Sequence, residues 1–89
     1  MEEDIEAFIA YLVAEVGASP HTVSAYRRDL TQYGRFLQGR GQGFLTATEE
    51  DVTAYLGELR QRGRARATVQ RQLSSIRQLH KFLVREGLT

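Results

Sequence analysis

The sequence predicts an all-α domain of four amphipathic helices, and three observations predict it. Apolar residues recur at spacings of three and four, never in the alternation a strand would need. Gly17, the group Gly39, Gly41 and Gly43, and Gly63 divide the chain into four stretches of helical length. Two of these stretches open on N-cap chemistry, at Ser19 and Thr48. With 89 residues, 42% of them hydrophobic and 26% charged, the chain has material for one small core in a single domain spanning 1–89.

The first helix is expected from about Glu3 to Val16, burying Ile5, Phe8, Ile9, Leu12 and Val16. Its opening acids suit the positive end of the helix dipole, and Gly17 stops it. The second begins at Ser19-Pro20, a capping hydroxyl followed by proline at the first helical position. Val23, Tyr26, Leu30, Tyr33 and Leu37 form its inner stripe. At about 100° per residue, Ser24, Arg28, Thr31 and Arg35 fall opposite. The three glycines end it, and Phe44-Leu45 is expected to pin the connection to the core. No Gly-Lys-Ser/Thr follows, so this is not a phosphate-cradling loop.

The third helix opens on Thr48 with Asp51 three residues later, a capping box weakened by Asp in place of Glu. Val52, Tyr55, Leu56 and Leu59 face inward, and Gly63 closes the segment. The fourth covers roughly Ala67 to Glu86. Its inner seam is Val69, Leu73, Ile76, His80 and Leu83, widened by Leu79 and Phe82, with Leu73 at its centre. Gln70, Arg71, Ser74, Gln78 and Arg85 lie opposite. His80, on the seam, reads as a packed, hydrogen-bonded core histidine rather than a catalytic one.

Several functions are excluded early. No apolar run approaches the ~20 residues of a membrane span, and the acidic N-terminus is unlike a secretory signal. The chain has no Cys, which removes disulfides, thiolate zinc sites and Cys nucleophiles and suits a reducing cytosol. Two isolated His, His21 and His80, are too few for a metal-ligand pattern. No metal, cofactor or catalytic residue is expected.

The net charge of +1 conceals a polarised molecule. Residues 1–26 carry five acids and no Lys or Arg, whereas residues 60–89 carry eight basic side chains against one acid, Glu86. A polyanion would be attracted to one end only. Eleven of the twelve cations are Arg, whose planar fork matches phosphate oxygens and the guanine edge.

Two polar faces stand out. Residues 21–28 offer His21, Thr22, Ser24, Arg27 and Arg28 with no acid among them. Residues 64–78 offer Arg64, Arg66, Gln70, Arg71, Ser74, Ser75, Arg77 and Gln78, again with none. A merely solvated helix mixes Glu with its cations, because i,i+4 pairs help it. Short hydroxyl and amide side chains beside Arg let a helix approach phosphates and reach base edges. The aromatic residues sit at or beside core spacing, so they offer no stacking platform for single strands. The pattern fits helices inserted in the major groove of duplex DNA.

At this point a family resemblance enters. The run Ser19-Pro20-His21-Thr22-Val23-Ser24-Ala25-Tyr26-Arg27-Arg28-Asp29-Leu30, then Thr68-Val69 and Leu73-Ser74-Ser75-Ile76-Arg77-Gln78-Leu79-His80-Lys81-Phe82-Leu83, resembles the N-terminal core-binding domain of tyrosine recombinases. The likeness is to the Xer-type and phage-integrase branch and covers nearly the whole chain. It implies a four-helix orthogonal bundle of the SAM-like kind, forming half of a clamp on a recombination site, with the second and fourth helices in the major groove. It points to His21, Thr22, Ser24, Ala25 and Arg28 on one helix and to Ala67, Thr68, Arg71, Ser74 and Ser75 on the other. Implied partners are double-stranded DNA and other recombinase protomers in a longer cytoplasmic protein, with no membrane.

Two departures matter. Ala65 stands where family members often carry Ser, which removes an N-cap from the fourth helix. The family's Arg/His cluster and nucleophilic Tyr belong to a separate C-terminal domain, to which nothing here corresponds. The fragment is thus expected to bind DNA without breaking it, with a catalytic domain following Thr89 in the parent. Two other classes remain: a helix-turn-helix transcription regulator, and a helical protein-interaction module whose basic face meets an acidic partner.

Overall fold

The computed structural model describes residues 1–88. It contains α1 (Glu2–Tyr11), extended by a π-helical turn over Leu12–Val16, then α2 (Pro20–Gly39), α3 (Glu49–Gln61) and α4 (Arg66–Arg85). There is no strand among the described residues. The start signals behave as their chemistry dictates. Ser19 Oγ accepts the Thr22 N–H at 3.2 Å. Thr48 and Asp51 form a complete reciprocal capping box, despite the shorter carboxylate, with Thr48 N–H donating to Asp51 Oδ2 at 2.9 Å. No side chain caps the start of α4 at Ala65.

Asp51 also accepts from Arg40 Nε at 2.8 Å, which ties the end of α2 to the start of α3. Thr48 N–H and then Arg40 hold its carboxyl below the usual carboxylate range.

The core consists of two aromatic clusters bridged by aliphatic residues. In the first, Phe8 meets Tyr26 edge-on at 5.8 Å and Phe82 at 5.5 Å, joining α1, α2 and α4. In the second, the fully buried Tyr33 packs on Phe44, Tyr55 and His80, joining α2 to the loop, α3 and α4. Leu30, Leu37, Ile76, Leu79 and Leu83 fill the space between them, each at most 1% exposed. Gly34 allows the chain start and loop to close over α2: a Cβ there would fall 2.5 Å from Met1 Sδ and 3.2 Å from Phe44 Cζ.

His80 and Tyr33 share a hydrogen bond of 2.8 Å between Nε2 and the phenol oxygen. Burial pushes the Tyr33 hydroxyl up and the His80 imidazole down, so a protonated phenol donating to a neutral imidazole suits both.

Three core expectations need correction. Val16 is exposed, because it is the last residue of the π turn and lies at the very end of the helix. Gly17, at φ 72°, then closes that turn. Leu45 is exposed while its neighbour Phe44 is buried, so one residue pins the loop. Leu73 is only half-buried, at the lip of a groove between α3 and α4; the centre of the α4 seam is Ile76, Leu79 and Leu83.

Leu79→Ala should therefore cost about 2–5 kcal/mol by lost burial and a residual cavity. Leu73→Ala should cost well under that, as read by urea denaturation. A second expectation concerns pH. A buried imidazole whose value is depressed contributes full stability above the ordinary His value. That stability declines as pH falls through about 6.5, because the unfolded chain takes up the proton first. The stability of the protein should drop between pH 7 and 5, and His80→Gln should flatten that slope. An unchanged slope in the variant would contradict the assignment.

Candidate nucleic-acid interface

The halves of α2 and α4 that carry the two polar faces are joined by a buried polar network. Arg71 of α4 straddles Asp29 of α2 through two hydrogen bonds, Nε to Oδ2 at 3.1 Å and Nη2 to Oδ1 at 3.0 Å. Asp29 is 1% exposed. Ser75 Oγ lies 3.1 Å from the Arg71 carbonyl and 3.5 Å from Asp29. At the next residue of α4, Tyr55 of α3 donates to Gln72 Oε1 at 2.6 Å, and Gln72 Nε2 reaches Gln32 of α2 at 3.4 Å. Burial pushes the Tyr55 phenol up to about 12, which keeps it a donor. No buried side-chain polar atom among the described residues lacks a partner. The network fixes the height at which α4 crosses α2.

The expected site residues divide into four groups. His21, Thr22, Ser24 and Arg28 on α2 are exposed, as are Arg64, Arg66, Ala67, Gln70, Ser74 and Gln78 at or beyond the start of α4. Ala25 and Thr68 are half-buried. Ser75 is not on the outer face. It is 3% exposed and turned into the Asp29–Arg71 pair, a position that a small hydroxyl can fill without leaving an unsatisfied atom. Arg27 and Arg71 are solvent-reached but engaged.

Arg27 grips Glu6 of α1 through both Nε and Nη2, at 3.0 and 2.9 Å. That guanidinium holds the Glu6 carboxyl below its ordinary value. The pair is exposed and therefore contributes little stability. Arg71, expected on the DNA-facing side of α4, spends its fork on Asp29 and acts as a strut between the helices. The acid-free faces thus receive acids after all, Glu6 from another helix and Asp29 from one residue beyond the window 21–28.

Asp29 and Gln72 were missed as organising residues. The signal was present in their spacing: Asp29 falls between Tyr26 and Tyr33, and Gln72 between Val69 and Ile76, at core intervals of three and four. A polar residue at a core interval marks a buried partner.

Among the described residues no His, Cys, Asp and Glu grouping has the form of a metal site, and no helix is long and apolar enough to cross a membrane.

The molecule is an all-α bundle with its second and fourth helices locked side by side. More narrowly, the chain matches the phage integrase N-terminal SAM-like domain over residues 5–87 and belongs to that family. It is similar to tyrosine recombinase XerD of Rhizobium meliloti (strain 1021), 40% identical over 84 residues, covering 94% of this chain and 27% of that protein. It is also similar to tyrosine recombinase XerC of Roseiflexus castenholzii (strain DSM 13941 / HLO8), 38% identical over 89 residues, covering 99% of this chain and 28% of that protein. The chain thus spans little more than a quarter of the length of these curated relatives. No solved structure matches it at a significant level.

Arg71→Ala should strand the buried Asp29 carboxylate and cost on the order of 2–4 kcal/mol. The double variant Asp29→Leu/Arg71→Met should recover much of that loss, because it removes both charges together. Denaturation of all three proteins, followed by circular dichroism, checks this.

Proposed function

We propose that this chain is the DNA-binding, core-binding domain of a site-specific tyrosine recombinase, forming half of a clamp on duplex DNA through α2 and α4. One observation carries the reading. The exposed polar residues of α2 from His21 to Arg28, and of α4 and the turn before it from Arg64 to Gln78, are a histidine, hydroxyls, amides and arginines with no acid in either segment, Glu6 of α1 meeting only Arg27. Such a surface offers cations for phosphates and short polar groups for base edges. Family membership and the names of the relatives support the recombinase role. Strand cleavage would lie in a separate domain of the parent, and other recombinase protomers would be partners of the full-length protein.

One feature favours a second reading, a protein-interaction module. The α3–α4 groove, about 820 Å³, has Val52, Leu56, Leu73 and Val84 along it and Arg77, Lys81 and Arg85 at its edge, a lining suited to an acidic amphipathic helix. The helix-turn-helix alternative is displaced by membership of a different family.

The isolated domain should bind duplex DNA at micromolar affinity or weaker, since half a clamp lacks the avidity of the whole. Log affinity should fall linearly with log salt, and Arg28→Ala should make that slope shallower by about one while weakening all sequences alike. Fluorescence anisotropy over a salt series measures both. Absence of duplex binding even at low salt would favour the protein-interaction reading.

A further inference from the structure

Two arginines have no ion-pair partner among the described residues and share one concavity. Arg35 and Arg64 line a depression of about 590 Å³ between the C-terminal halves of α2 and α3 and the turn leading into α4. Arg40 and Arg62 line it too, but each is engaged. Arg40 holds Asp51 at 2.8 Å and lies 5.6 Å from the Phe36 ring centre, and Arg62 pairs with Glu58 at 3.6 Å. Setting Asp51 and Glu58 against Arg40 and Arg62 leaves the Arg35 and Arg64 charges uncompensated over one hollow. Like charges facing a common concavity focus a positive potential, and guanidinium forks match phosphate oxygens.

Position adds to chemistry. Arg35 follows Arg28 by seven residues, two turns on the same side of α2 and about 10 Å along it. Arg64 stands two residues before α4 begins. The depression therefore continues the α2–α4 surface past the Asp29–Arg71 crossing, on the side away from His21. Successive phosphates of a strand rise about 3.4 Å along the duplex axis, so cations about 10 Å apart can meet different phosphates.

We propose that Arg35 and Arg64 hold a backbone phosphodiester flanking the DNA segment engaged by α2 and α4. The inference rests on the DNA-binding reading above. It adds a contact that is blind to sequence and sets how far along the duplex the domain extends. The Arg40–Asp51 and Arg62–Glu58 pairs frame the hollow and leave the other two forks free for the phosphate. The other source of the same chemistry is free inorganic phosphate.

The test uses the full 89-residue chain, with the double variant Arg35→Gln/Arg64→Gln, Arg28→Gln and, as a charge control outside the hollow, Arg60→Gln. Anisotropy of a labelled duplex over a salt series should show the double variant losing about two from the salt slope. Its sequence preference and melting temperature should be those of the parent, and Arg60→Gln should leave the slope unchanged. A parent-like slope in the double variant, while Arg28→Gln lowers it, overturns the phosphate site and leaves the DNA-binding reading standing. No duplex binding by the parent overturns both. A slope change in Arg60→Gln as large per charge as in the double variant reduces the effect to net charge and also overturns the site. Inorganic phosphate, titrated into the parent and followed by amide NMR shifts, should give no saturable response at Arg35 or Arg64. A saturable response together with an unaltered DNA slope would make this a small-anion site instead.

Discussion

The bidentate pair between Arg71 and the buried Asp29 is the constraint on which the rest of the molecule depends. Hydrophobic packing is tolerant of small rotations and slips between helices, because apolar contacts carry no direction. A carboxylate that is 1% exposed is not tolerant: it needs its two donors at hydrogen-bond distance, and one fork on the facing helix supplies both. Ser75 and the Gln72–Gln32 contact extend that requirement over a turn of α4. The crossing of α2 and α4 is thereby held at one height. A surface made from both helices has a defined shape only because of it.

The same logic separates residues that make the proposed interface from those that hold it. Arg28, Ser24, Gln70 and Ser74 stand in solvent without a fixed role in the fold. Arg71 reaches solvent with 46% of its side chain yet spends its fork on Asp29. Two exposed arginines thus carry different work. Their effects on DNA affinity would arise by different routes, one through a lost contact and the other through displaced helices. Arg27 belongs to neither group, since its fork lies on Glu6 and binds α1 to α2.

Much of the fold was legible because its signals are local. Ser19 with Pro20, Thr48 with Asp51, and the three-and-four spacing of Leu30, Tyr33, Leu37, Ile76, Leu79 and Leu83 each state their outcome within one or two turns. What escaped was non-local or lay at a change of period. The π turn at Leu12–Val16 has no signature in an apolar pattern written for an α-helix, so Val16 was placed inside. Faces judged acid-free along their own segment met acids from elsewhere, because sequence proximity does not reveal that Glu6 lies beside Arg27 or Asp29 beside Arg71. Ser75 followed the same error, a small polar residue assigned to water that satisfies its hydroxyl inside.

The central claim is that one surface, built from the locked halves of α2 and α4, meets duplex DNA. Amide chemical-shift mapping tests it most directly, with a nitrogen-15-labelled chain titrated with a short duplex at low salt. The account predicts that perturbed amides cluster at His21–Arg28 and Arg64–Gln78 while the outer side of α1 and the groove residues Val52 and Val84 stay still. Perturbations centred on α1 or on the α3–α4 groove, with the two half-helices silent, would contradict it.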